Sequence, residues 1–217
     1  MPRDNAGRIV TIASSSSPME ASRHTPSGRA AVTAWCRGGD LLLAGGTLVL
    51  LRPVTRADRD RVLGLFDSLS AESRWRRYLS PKPSLTAREL DHMTNVDHFA
   101  HEAYAAVDGR DGSFAGIARY IRHIGSETTA ELAVEVADEL QHQGIGTALS
   151  MLVVERARAN GFTLLTATTL WSNQPARALL RRLGFHARRS QGREIELELA
   201  LVGTEGPVLG ARKDGMQ

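Results

Sequence analysis

A chain of 217 residues, 42% of them hydrophobic, suits one domain of ordinary core size with short extensions. Its single cysteine, Cys36, excludes a disulfide framework and makes a reducing compartment the expectation. Net charge is +3, and every cationic side chain except Lys82 and Lys213 is arginine. That balance suits an anionic ligand but argues only weakly for nucleic acid, and no nucleic-acid partner is expected.

Residues 1–38 are rich in Ser, Arg, Ala and Gly with no sustained apolar period, and read as a disordered extension. A folded domain is expected over 39–202, with a flexible tail over 203–217. No charged-then-apolar segment opens the chain. The longest apolar run, Leu41 to Leu51, is broken by Gly45-Gly46 and is too short for a bilayer. A soluble, cytoplasmic protein without a membrane partner follows, as a monomer or homodimer.

Leu41–Leu43 and Thr47–Val54, joined through glycines, predict a β-hairpin. Thr55 with Asp58 three residues on predicts a capped helix start, with Leu63, Leu65, Phe66 and Leu69 as the buried stripe. A second helix runs from Ser70 to its stop before Pro81, and a third spans Pro83 to Met93. Within the second, Arg74-Trp75-Arg76-Arg77 mixes basic and aromatic residues as some RNA-binding surfaces do. A solvated helix face with Trp75 packed inward accounts for it more simply. Strands are predicted at Glu102–Val107 and Phe114–His123, joined by a turn at Asp108–Gly112.

The chain is organised around Ala130 to Gly161. Leu132, Val134 and Val136 alternate with Glu131, Ala133 and Glu135, the period of a strand. After Gln141-His142-Gln143-Gly144-Ile145-Gly146 the period becomes helical, with Leu149, Leu152, Val153, Arg156 and Ala157 on successive turns until Asn160-Gly161. A strand, a glycine loop and a helix N-terminus present free N–H groups and a positive dipole end to an anion. The helix returns the chain to Phe162–Thr169, a strand that must lie parallel to Glu131–Val136. A helix over 174–183 and two strands follow. The last strand, Glu194–Ala200, alternates strictly with its acids outward, as on a one-sided or edge strand.

The spacing Gln141-x-x-Gly144-x-Gly146, after a strand carrying Ala-Glu-Leu-Ala, resembles the coenzyme A loop of the GNAT superfamily of N-acetyltransferases. The run from Asn173 to Leu183-Gly184-Phe185 is similar to that superfamily's second signature. Residues 70–98, with Ser70-Ala-Glu-Ser73-Arg74 and Val96-Asp97-His98, resemble the Pat-type bacterial protein lysine acetyltransferases. The resemblance covers about residues 40–200. It implies an α+β fold of α/β/α layers: a mixed central sheet of six to seven strands, with a splayed parallel pair, flanked by helices.

The resemblance also implies acetyl-CoA as cosubstrate and Glu131 as general base. A lysine ammonium with a pKa of about 10.4 lies roughly 3.4 units above neutrality, so deprotonation costs about 4.6 kcal/mol. A buried carboxylate, directly or through water, takes up that proton as the amine attacks. Glu135 shares the face of Glu131, and a β-bulge would change which of them reaches the substrate. By analogy the cofactor is held by Val134, Glu135 and Val136 on the strand, by Gln141, His142, Gln143, Gly144, Ile145, Gly146 and Thr147 on the loop, and by Asn173 opposite. Asn173 reads equally as the cap of the following helix, and His142 as a solvated loop residue.

Two departures from the pattern stand out. The loop has no arginine or lysine among its first three residues, and Leu180 stands where many members carry a tyrosine general acid. No histidine lies at metal-ligand spacing, so no metal is expected. The resulting expectation is an acetyl-CoA-dependent N-acetyltransferase acting on a protein lysine. Acetylation of a small amine, or a catalytically silent acyl-CoA sensor, are the alternatives.

Overall fold

The computed structural model describes residues 40–43 and 47–201. The expected N-terminal extension, Cys36, the glycine turn at 44–46 and the C-terminal tail lie outside the described residues. The strands are β1 (Asp40–Leu42), β2 (Leu48–Pro53), β3 (His101–Asp108), β4 (Phe114–Arg122), β5 (Thr129–Val136), β6 (Leu164–Leu170), β7 (His186–Gln191) and β8 (Glu194–Ala200). The helices are α1 (Arg59–Ser68), α2 (Ala71–Tyr78), α3 (Ala87–Thr94), α4 (Ile145–Ala159) and α5 (Gln174–Arg182). The strands form one mixed sheet in the order β1-β2-β3-β4-β5-β6-β8-β7. All described pairs are antiparallel except β5 with β6. With the three-residue β1 included, the sheet has eight strands against the six to seven expected.

Two apolar layers cover the sheet. On one face α4 buries Leu149, Leu152, Val153 and Ala157 against Ala118, Tyr120, Leu132 and Leu165, and Leu180 of α5 joins the same cluster. On the other, α1 and α3 pack Val62, Leu65, Leu90 and Met93 against Ala103, Ala105 and Ile117. Within α1, Val62 occupies the buried position expected for Leu63, which is only half-buried. Val62, Leu65, Phe66 and Leu69 fall at i, i+3, i+4 and i+7, one face of a helix, and Leu63 lies at its border, partly buried against the same cluster. The third helix begins at Ala87 rather than near Pro83. Thr86 is its N-cap and forms a reciprocal capping box with Glu89, so the preceding residues remain extended. Strand β8 lies inside the sheet between β6 and β7, and the outer edge is the fully exposed β7. Its acids are still on one side, where Arg188 of β7 pairs with Glu196 and Glu198.

The capped start expected at Thr55 is built around a buried carboxylate. Asp58, 1% exposed, accepts two hydrogen bonds from the Arg52 guanidinium at 2.7 and 2.6 Å and one from Thr55 N at 2.9 Å. A short 3-10 turn, Arg56–Asp58, therefore precedes α1. A second buried carboxylate, Glu102 of β3, receives Arg156 Nε of α4 at 3.3 Å and lies 2.8 Å from His98 Nδ1, tying helix to sheet.

The Arg52 guanidinium, set against the burial that opposes it, holds the Asp58 carboxyl well below the usual carboxylate range. A depressed folded pKa contributes stability that is present above the unfolded value of about 3.9 and lost as pH falls through the folded value. Asp58→Ala leaves Arg52 and the helix start unpaired, and is expected to cost about 3–5 kcal/mol in urea unfolding at neutral pH. The difference from wild type should shrink only in strongly acidic buffer. A loss below about 1 kcal/mol, typical of surface pairs, would show that the pair does not hold this corner.

Candidate active site

Strands β5 and β6 start out paired and then part. Thr129, Ala130 and Glu131 align with Leu164, Leu165 and Thr166, and no pairing continues beyond Glu131. The remainder of β6 is held only by β8, and that of β5 only by β4. The register of β5 on β4 runs without interruption, so the strand carries no bulge and Glu131 and Glu135 stay on one face. Ala137 N donates to Ala115 O and His123 N to Thr129 O. Odd-numbered residues of β5 are therefore the hydrogen-bonded partners of β4. The backbone N–H and C=O of Val134 and the N–H of Val136 point the other way, into the gap.

A cleft of about 630 Å³ occupies this gap. Glu131, Val134, Glu135 and Val136 line it from β5, and Gln141, His142, Gly144, Gly146 and Thr147 from the loop and the start of α4. Asn173 and Leu180 line it from the α5 side. Two of the expected loop residues turn their side chains elsewhere. Ile145 is buried in the core, and the Gln143 amide donates to Glu139 O at 3.3 Å. The first intrahelical bond of α4 is Ala148 N to Gly144 O, so the N–H groups of Ile145, Gly146 and Thr147 have no acceptor within the helix. Ile145 thus offers its backbone to the cleft end while its side chain anchors the helix. The Gln141 amide donates to Val136 O at 3.2 Å and to Asp138 Oδ1 at 2.9 Å, which makes it a staple of the loop. Asn173 accepts from Ala176 N at 3.3 Å, so its capping role is present alongside its place on the cleft wall.

The two acids of β5 differ in surroundings. Glu131 is exposed, contrary to the expectation of a buried base, whereas Glu135 is 7% exposed. Glu135 faces α2, where Arg77 Nε stands 3.6 Å from its Oε2. Behind it Arg119 of β4, 8% exposed, is opposite Ala133 on the same face. Burial, then the like charge of Arg77, pulls the Arg119 guanidinium down to about 10. Tyr78 completes the group, its hydroxyl pushed up to about 12 by burial and then by Glu135.

Sequence reasoning missed this cluster. The arginine-rich helix was expected to present a solvated face with Trp75 inward. Instead Arg77 and Tyr78 line the cleft, and the Arg74 guanidinium lies 4.2 Å over the Phe66 ring while donating to Phe66 O. The available signal was spacing: Arg74, Arg77 and Tyr78 fall three and four residues apart, on one helical face. Arg119, set between Ile117 and Ile121 on the buried side of an apolar strand, was the other.

A parallel pair opened beside a helix N-terminus, inside a mixed antiparallel sheet, defines an acyltransferase of GNAT fold. The chain belongs to the Acetyltransferase (GNAT) family, whose model matches residues 69–185. An acetyltransferase of Pseudomonas aeruginosa is 31% identical over 149 residues, 68% of this chain and 80% of that protein. The acetyltransferase Pat of Mycolicibacterium smegmatis is 31% identical over 139 residues, 64% of this chain but 41% of Pat, so the chain spans about two fifths of that relative. The solved GNAT domain of S. lividans PAT superposes with a TM-score of 0.69 at 26% identity, covering 77% of this chain and 97% of that domain. Among the described residues no helix is long and apolar enough to cross a membrane, and no group of three or more His, Cys, Asp or Glu is placed to hold a metal.

The loop glycines differ in what they tolerate. Gly144 has φ +92° with open space around it, while a Cβ at Gly146 would meet Val136 at 3.4 Å and Leu179 at 3.7 Å, ordinary contact distances. Gly144→Ala should cost about 1–2 kcal/mol from the left-handed backbone alone. Gly146→Ala should be neutral or gain up to about 1 kcal/mol from helix propensity. Parallel urea titrations check both, and equal losses would refute the assignment.

Proposed function

We propose that the protein transfers an acetyl group from acetyl-CoA to a lysine side chain of a protein acceptor, with Glu131 as general base. The observation that carries the reading is where the parallel pair opens. Pairing ends at Glu131, so its carboxylate stands at the apex of the gap. The gap-facing backbone of Val134 and Val136 then leads to the N-terminus of α4. The residues fit the cosubstrate on this structure's own geometry. Gly144, with open space around it, leaves the loop open to a bulky diphosphate, and the N–H groups of Ile145, Gly146 and Thr147 at the cleft end have no acceptor within the helix. Since Gln141, His142 and Gln143 bring no permanent cation, backbone dipoles carry that contact.

Acetyl-CoA, as cosubstrate, supplies the activated acyl carbon. Val134 presents a backbone N–H and C=O and Val136 a backbone N–H to the gap, able to align the pantetheine arm like a neighbouring strand and to donate to the thioester oxygen as charge develops there. Glu131 takes up the ammonium proton of the acceptor and the neutral amine then forms the N–C bond; as the C–S bond breaks, the second nitrogen proton leaves through the same carboxylate to water or to the departing sulfur. Its exposure lets that proton pass on to water. Leu180, only 5% exposed, brings no proton to the departing thiolate. A thiol pKa of about 8.5 lets sulfur leave without one. The Pat-like segment at residues 70–98 and the relatives with Pat in their names support a protein acceptor.

Release of coenzyme A thiol should be followed with a lysine-bearing acyl-CoA synthetase and with a panel of small amines. Glu131→Gln is expected to lower kcat on the protein by about 10²–10⁴-fold while acetyl-CoA binding is retained. Turnover on small amines alone would move the acceptor to that class. Binding of acetyl-CoA with no turnover on any amine would leave an acyl-CoA sensor and overturn the mechanism.

A further inference from the structure

The acids of β5 face away from α4, and on that side of the sheet the cleft ends in a cluster of charged groups that do not satisfy one another. Arg77 Nε, Tyr78 Oη, Glu135 Oε2, and Arg119 Nε and Nη1 are all buried without a hydrogen-bond partner among the described residues. Arg77, Tyr78 and Glu135 line the cleft itself. The 3.6 Å between Arg77 and Glu135 is longer than a hydrogen bond. Two guanidiniums and a phenol therefore lie around one carboxylate that only Arg77 approaches, leaving donors in excess and a net positive charge at the cleft wall. An uncompensated buried guanidinium is expensive, so the missing component is an anion that arrives with a ligand. Glu131, the other carboxylate on this face, is exposed and makes no ion pair among the described residues.

The anion is not the diphosphate. Side chains of Val134 and Val136 point to the opposite face, where a Cβ on Gly146 would meet both of them. The helix end that faces phosphate is thus across the sheet from Arg77 and Arg119. What reaches their side is the acyl group or the amine, on the face where Glu131 also stands. We propose that Arg77 and Tyr78, backed by the buried charge of Arg119, form a carboxylate-binding subsite. The enzyme selects a ligand whose carboxylate sits a few bonds from the reacting centre, either at the end of a dicarboxylic acyl chain or on the amine acceptor. A carboxylate accepts from the Arg77 guanidinium and from the Tyr78 hydroxyl on the cleft wall, while Arg119 behind them adds positive charge. Glu135 holds Arg77 toward the cleft and limits the site to one negative charge.

This inference rests on the acyl-transfer reading of the cleft, but not on lysine as acceptor or on Glu131. Its test compares acids with neutral counterparts in two arms. In the first, succinyl-CoA and butyryl-CoA are compared by thermal stabilisation of the full chain, which needs no turnover, and by coenzyme A release with a fixed amine. In the second, acetyl-CoA is fixed and α-amino acids are compared with their decarboxylated amines, again by stabilisation and by kcat/KM. The acid should be preferred by about 10- to 100-fold in one arm, which identifies the carrier of the carboxylate. Arg77→Gln and Arg119→Met should each bring that ratio toward one. Should the buried Arg119→Met fail to fold, Arg77→Gln decides alone. No preference in either arm, or a preference unchanged by Arg77→Gln, would overturn the proposal. Loss of turnover in every assay with the succinyl-CoA binding preference intact would count against the lysine-acetylation reading and leave the subsite standing.

Discussion

The structure depends on two parallel strands that begin as partners and then separate. A buried N–H or C=O left unpaired costs about 1–3 kcal/mol, so a gap in a sheet is not tolerated unless something restrains both edges and something else meets the exposed groups. The restraint is visible. Strand β5 keeps an unbroken ladder of seven pairs with β4, and β6 keeps seven pairs with β8. Neither strand can drift across without losing its outer partner. On the side of α4, Leu179 of α5, Val134 and Val136 gather at the start of that helix, where a Cβ on Gly146 would touch all three. The gap is therefore a fixed feature of the fold, and its backbone groups wait for solvent or for a chain-like ligand.

Separation of the strands also divides the electrostatics between the faces of the sheet. On the α4 side the positive potential comes from backbone N–H groups and the helix dipole, which hold an anion without side-chain charge. On the opposite side it comes from Arg77 and Arg119, whose charge is localised and desolvated. A diphosphate, which prefers several diffuse donors, and a carboxylate, which prefers a planar fork, are thus offered different surfaces. The absence of arginine and lysine from Gln141 to Gln143 is coherent with that division, because cationic side chains there would not be needed to define the phosphate end.

Much of this was legible in the sequence because it is local. Period-two alternation placed Glu131 and Glu135 on one face of β5, the glycine spacing placed the start of α4, and Thr55 with Asp58 marked the first helical turn. Arg77 and Arg119 were not legible for the opposite reason. They are 42 positions apart in the chain (119 minus 77), on different elements, and nothing in either segment shows that α2 packs over β5. An arginine-rich helix reads as solvated until its partner surface is known. The misplacement of Leu63 has a smaller cause: two adjacent apolar residues, Val62 and Leu63, fit the helical period almost equally, and only the sheet beneath chooses Val62.

The two acids of β5 show how position along a strand gives identical chemistry different surroundings. Parity gives Glu131 and Glu135 the same face, and an unbulged register keeps it so. Position relative to the point of parting does the rest. Glu131 is the last residue with a partner on both sides, so its backbone is rigid while its carboxylate meets solvent at the mouth of the gap. Glu135, four residues further along a strand that has already left β6, is enclosed by α2 and meets Arg77. A group that must take up and release a proton in each turnover needs contact with both acceptor and water, which favours the exposed acid. A group that must keep buried guanidiniums in place needs exclusion from water, which favours the enclosed one. Exchanging their positions would leave the strand's alternation untouched and would exchange both environments, because the face is specified by period two but the environment is specified by where β6 departs.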